Sequence, residues 1–234
     1  MNYNGQGTVY LAMPERADSD RPLPAVVAVH GSGRCATDYR DTPFYVRQRD
    51  LVLQNGALFA AVSNGPDTWG LDDGLQNVLA LMKLLTEEYG AKPQMGLWAT
   101  SAGGVLTHRI IRQAPHKVAF VIGTFPVFDL SAAFARPACK RAWKTEDFEE
   151  FSRRIEGRNP ATFPQSLAGI KYYVAHGTAD SVVPLQQHSA RLKQQLGDNV
   201  YLETVEQGGH DVENFAYYGK AVEQAFRDFA HYFA

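Results

Sequence analysis

Cysteine is scarce in this sequence, and neither sign of charge is in surplus. Two cysteines, Cys35 and Cys139, stand among 234 residues, too few for a disulfide framework. They read as free thiols, with a single Cys35–Cys139 bridge left open for an exported protein. No His-x-x-x-His or Cys-x-x-Cys spacing accompanies them, so no metal site is expected. Lys and Arg number 23 against 25 Asp and Glu, which leaves no cationic excess for nucleic acid or anionic membrane. No apolar run approaches the roughly 20 residues that span a bilayer. The start, Met1-Asn2-Tyr3-Asn4-Gly5, has neither the basic residues nor the apolar stretch of a secretory signal. A cytoplasmic location is therefore expected, unless a leader has been removed. What is present is a globular composition, 45% hydrophobic and 21% charged, with enough chain to bury a large core as one domain, 1–234.

Apolar runs alternate with helical patterns. Strands are expected at Thr8–Met13, Ala25–Val29, Ala57–Ser63, Met95–Ala99, Val118–Gly123, Lys171–Ala175 and Val200–Val205. Several are apolar at nearly every position, as strands covered on both faces must be. Leu71, Leu75, Val78, Met82, Leu85 and Tyr89 form a helical stripe that Gly90 ends. Further helices are expected from Ser101 to Ala114, along Leu185, His188, Leu192 and Leu196, and along Phe215, Val222, Phe226, Phe229 and Phe233. This alternation predicts an α/β fold, a mainly parallel twisted sheet with helices on both faces. The 38 residues Ser131–Ala168 break it and read as a small helical lid, since insertions of this length usually serve function.

Ligands of parallel sheets bind at the carboxyl ends of the strands, and four such ends carry suggestive residues. Met95–Ala99 runs into Thr100-Ser101-Ala102-Gly103-Gly104 and then a helix. A serine on such a sharp turn presents its hydroxyl above the sheet; the plain alternative is a helix cap. Ala25–Val29 runs into His30-Gly31-Ser32-Gly33, whose backbone amides can face an oxyanion. His30 reads there as a brace for the loop. Lys171–Ala175 leads to His176-Gly177-Thr178-Ala179-Asp180-Ser181-Val182-Val183-Pro184, where Asp180 can orient an imidazole. Val200–Val205 is followed by Gln207-Gly208-Gly209-His210, and a histidine in a glycine loop can serve as general base. Asp129, after another strand, is a second candidate acid.

The order Ser101, Asp180, His210 behind an oxyanion loop resembles the α/β-hydrolase superfamily, in particular its dienelactone-hydrolase and prolyl-oligopeptidase-like esterase branches. The similarity runs from Thr8 to the last helix, outside the insertion. It implies Ser101 as nucleophile, His210 as base, Asp180 as acid, and the amides of Ala102 and Ser32 as the oxyanion hole, with Gly33 a weaker donor. Ala99 departs from the pattern, because the family's turn usually has a glycine there. The N-terminus also looks short for a family that often has one more antiparallel edge strand.

The reaction so implied is hydrolysis of a small-molecule carboxylic ester through an acyl-enzyme, with no cofactor and no metal. A peptidase of the prolyl-oligopeptidase type is the second reading, and a non-catalytic binding protein on the same fold is the third. Gly31-Ser32-Gly33 lacks the third glycine and the acidic residue of a dinucleotide site. The insertion holds seven basic and five acidic residues, which is either a solvated mixed face or a source of arginines that hold a substrate carboxylate or phosphate. Trp69, Trp143 and Phe148 are candidate substrate contacts, each equally readable as packing. A monomer or a homodimer is expected.

Overall fold

The computed structural model describes residues 2–3, 7–15 and 21–233. Among the described residues eight strands form one sheet: β1 (Asn2–Tyr3), β2 (Gly7–Ala12), β3 (Ala25–Val29), β4 (Leu58–Val62), β5 (Met95–Thr100), β6 (Val118–Thr124), β7 (Lys171–Gly177) and β8 (Val200–Val205). Their order is β1-β2-β4-β3-β5-β6-β7-β8. β2 runs antiparallel to both neighbours, and β3 to β8 are parallel. β1 is the antiparallel edge strand that the sequence did not reveal, since two residues carry no period. Every residue of β3, β4 and β5 is buried, which is why these segments read as unbroken apolar runs.

The described residues form ten α-helices: α1 (Asp38–Asp41), α2 (Pro43–Gln54), α3 (Asp72–Glu88), α4 (Gly103–Gln113), α5 (Leu130–Ala133), α6 (Pro137–Trp143), α7 (Phe148–Arg154), α8 (Ser189–Leu196), α9 (Lys220–Asp228) and α10 (Ala230–Phe233). One sheet face is covered by Leu75, Val78 and Leu85 of α3, Leu106 and Ile110 of α4, and Leu192 of α8. The other is covered by Tyr39 of α1, Phe44 and Val52 of α2, Val222 of α9 and Tyr232 of α10. None of these helices is long and apolar enough to cross a membrane.

Three expected helices start or divide differently. The helix after Ser101 begins at Gly103, because Ser101 itself is left-handed (φ 51°). The Leu185–Leu196 pattern splits into a 3₁₀ turn, Leu185–Gln187, and α8. Between them His188 turns inward, where its Nδ1 accepts the amides of Phe128 and Asp129. The last pattern splits into a 3₁₀ turn, Phe215–Tyr218, then α9 and α10, with a break at Gly219. Phe215 stays half-exposed. Cys35 and Cys139 are both free thiols.

Ser131–Ala168 holds α6, α7 and two 3₁₀ turns, Pro160–Thr162 and Pro164–Leu167. Cys139, Trp143 and Phe151 of this insertion form one apolar cluster with Trp69, Ala102, Val127 and Val183. Those four body residues follow β4, β5, β6 and β7 respectively. The insertion therefore packs against the carboxyl end of the sheet.

Candidate functional site

The turn after β5 is forced by close contacts. A side chain at Gly103 would place its Cβ 2.2 Å from the Val29 carbonyl oxygen, so only glycine lets α4 approach β3. The turn leaves Ser101 at φ 51°, an unusual value for a residue with a Cβ. Ala99, in the position where a glycine was expected, lies beside Gly123 of β6.

Ser101 Oγ lies 2.9 Å from His210 Nε2. His210 Nδ1 lies 2.8 Å from Asp180 Oδ2. The carboxylate can only accept, so Nδ1 carries the proton and Nε2 is the acceptor for the Ser101 hydroxyl. Asp180 Oδ1 accepts the amides of Val182 (2.9 Å) and Val183 (2.7 Å). Burial alone would raise the Asp180 pKa, but hydrogen bonds from His176 and His210 outweigh it and hold the carboxyl well below the usual range.

The loop carrying His210 is fixed to the acid loop through its backbone. Thr178 and Ala179 donate to the carbonyls of Val205 and Gly208, and Gln207 donates to Thr178 Oγ1. A Cβ at Gly177 would lie 2.1 Å from the Gly208 oxygen, so glycine is required where the two loops touch. The ring of Phe125, at φ 38°, lies 4.4 Å from that of His210. Tyr217 donates to the Gly209 carbonyl and packs edge-on against Phe125.

The His30-Gly31-Ser32-Gly33 loop runs beside Ser101, where a Cβ on Gly31 would stand 3.7 Å from Oγ. It is clamped to the Asn64–Gly70 segment. His30 Nε2 accepts the Asn64 amide at 2.9 Å, Thr68 Oγ1 donates to the His30 carbonyl at 2.5 Å, and Trp69 Nε1 donates to Ser32 Oγ at 3.1 Å. Burial lowers the His30 pKa despite its bond to the Gly31 carbonyl, which keeps the ring neutral and able to accept. Among the described residues, no hydrogen-bond acceptor is engaged by the amides of Ser32 or Ala102.

The other sequence candidates lie elsewhere. Asp129 is bound by Ser131, Asn159 and Arg191 rather than by His210. Trp69 is buried as the anchor just described. Trp143 is buried edge-on against Phe151. It borders a cavity of about 410 Å³ with Leu71, Asp72, Ala142, Lys144, Arg154 and Arg158. Phe148 is half-exposed and rests on Phe134. Sequence reasoning passed over His176. Its Nε2 lies 2.7 Å from the Val183 carbonyl and 3.5 Å from Asp180 Oδ2, and its Nδ1 lies 2.6 Å from Ser189 Oγ. The available signal was its spacing of four residues from Asp180 within one loop. Phe125 gave no signal at all, because its contact with His210 spans two distant loops.

The prolyl oligopeptidase family matches residues 62–234. The chain belongs to the prolyl oligopeptidase family. Its fold is that of the α/β-hydrolases. A puromycin-hydrolyzing peptidase of Mycobacterium tuberculosis superposes with a TM-score of 0.74 at 23% identity, over 97% of this chain and 36% of its own. The acylaminoacyl peptidase of Pyrococcus horikoshii gives 0.72 at 18%, over 97% and 39%. An S-formylglutathione hydrolase from Agrobacterium tumefaciens gives 0.73 at 14%, over 97% and 90%. This family member thus spans little more than a third of the length of the two peptidases. No curated protein matches it significantly.

Proposed function

We propose that the chain hydrolyses carboxylic esters of small molecules through an acyl-enzyme on Ser101, with His210 as base and Asp180 as acid. The observation that carries this reading is the continuous hydrogen-bonded series from Ser101 Oγ through His210 to Asp180, at 2.9 and 2.8 Å. His210 Nε2 takes the hydroxyl proton as Oγ attacks the carbonyl carbon. Charge then develops on the carbonyl oxygen, towards which the amides of Ser32 and Ala102 donate. Asp180 stabilises the imidazolium that forms. The Nε2 proton passes to the leaving alkoxide, and water activated by the same nitrogen releases the acid. No step needs a cofactor.

Ester cleavage is the less demanding chemistry, because an alkoxide leaves more readily than an amine. The S-formylglutathione hydrolases of the same fold support it. Family membership favours a second reading, peptide hydrolysis. One experiment tests both, with a fluorophosphonate probe on wild type and Ser101→Ala and p-nitrophenyl esters beside aminoacyl anilides. Labelling of wild type alone, with ester turnover, is expected. Anilide without ester turnover turns the reading to a peptidase. An unlabelled wild type overturns the enzyme reading in favour of a binding protein.

A further inference from the structure

The insertion contains one cation whose setting differs from the rest. Lys140, Arg154 and Arg158 pair with Glu146, Glu150 and Asp72. Arg141, Lys144 and Arg153 have no such partner and stand in solvent, where an unpaired charge costs little. Arg136 is half-buried, yet among the described residues no carboxylate lies within ion-pair distance of it. Its Nη2 donates to the carbonyl of Ser181, the residue that follows Asp180. Asp180 is no counter-ion for it, since that carboxylate is taken up by His210, His176 and two backbone amides. The positive charge of Arg136 also acts on buried His188, whose pKa lies at about 4 through burial first, with His176 and Arg136 adding and Asp129 and Asp180 opposing. One carbonyl bond occupies one of five guanidinium donors. A partly desolvated, unpaired guanidinium with free donors is matched by an anion.

We infer that Arg136 is a specificity-determining residue that binds a carboxylate on the substrate, so that the preferred ester is an anionic one. This rests on the hydrolase reading above. The apolar remainder of such a substrate has a surface nearby: two residues earlier Phe134 packs edge-on against Phe148, with ring centroids 5.2 Å apart.

The test compares p-nitrophenyl hexanoate with mono-p-nitrophenyl adipate, which differ in a terminal carboxylate, in wild type, Arg136→Gln, Arg136→Lys and Arg153→Gln. The ratio of kcat/KM for adipate over hexanoate is expected to fall about tenfold in Arg136→Gln, as for loss of one charge-assisted hydrogen bond. It should recover in part in Arg136→Lys and stay at the wild-type value in Arg153→Gln. Adipate is also expected to slow fluorophosphonate labelling of wild type, and to do so less in Arg136→Gln. This second readout decides the matter even where both esters turn over slowly. An unchanged ratio in Arg136→Gln overturns the inference, as does an equal fall for both esters, which marks Arg136 as a tether of the acid loop. Failure of the hydrolase reading looks different, because wild type is then not labelled at all.

Discussion

Two groups of loops meet at the carboxyl end of the sheet, and they are held in different ways. The loops carrying Ser101, Asp180 and His210 are fixed by backbone hydrogen bonds and by glycines that admit no Cβ, and the Ser32 loop by hydrogen bonds through the buried side chains of His30, Thr68 and Trp69. The insertion is held by an apolar cluster around Trp143 and Phe151 and by exposed ion pairs. Backbone bonds fix atoms to within tenths of an ångström, as proton transfer requires. Apolar packing tolerates substitution of similar volume, and exposed ion pairs contribute little. The proposed chemistry thus sits on the rigid group, and the residues proposed to choose the substrate sit on the adaptable one.

Substitutions can break that contrast. Ser101→Ala is expected to lower kcat by about 10⁶-fold in an ester assay while the melting temperature stays close to wild type. Asp180→Asn should lower kcat by about 10⁴-fold, because His210 loses the partner that fixes its tautomer. Asp129→Asn, acting on the insertion side, should keep turnover within the same order and reduce stability instead. Equal kinetic losses for the two aspartates would erase the division between the groups.

Phe151→Ala, in the core of the insertion, should cost about 3–5 kcal/mol in denaturant unfolding. The accompanying rise in hydrogen exchange should be confined to residues 131–168 and their contacts. A uniform rise across β3 to β8 would mean that the insertion is no softer than the body.

The smallest effect concerns Asp72, which pairs with Arg158 of the insertion and Arg109 of α4. Hydrogen bonds from Arg158 and then Arg109 hold its carboxyl down at about 2, against an ordinary 3.8. A carboxyl depressed in the folded state stabilises above its unfolded pKa, and that contribution is lost as pH falls through the folded one. The contribution is therefore full above about pH 4 and disappears near pH 2. The side chain is 57% exposed, so Asp72→Asn should cost no more than about 1 kcal/mol at neutral pH. Thermal melts of the variant and wild type should converge at low pH.

Much of the rigid group was legible in the sequence. Strands buried on both faces carry unbroken apolar runs, and a reactive residue just past each one marks the active end of a parallel sheet. That reasoning picked out Ser101, Asp180 and His210, which the structure brings within hydrogen-bond distance in series, and the Ser32 loop. It began one helix at Ser101 and ran two others straight through His188 and Gly219, because apolar periodicity registers spacing and not a backbone turn forced by distant contacts. It also weighed Trp69 as a pocket wall. That residue's role as anchor depends on a hydroxyl 37 residues away.

The sequence by itself determined the strand order in time, the residue types at the strand ends and the class of chemistry they suit, because each is written in a few neighbouring residues. Only the tertiary structure decided which aspartate meets His210, and that Arg136 stands half-buried with no acid of the described residues beside it. These facts join groups 30 residues apart, between Asp180 and His210, and 45 apart, between the Arg136 side chain and the Ser181 carbonyl. A pairing of that kind leaves no period or spacing along the chain, and comes into being when the sheet sets the loops side by side.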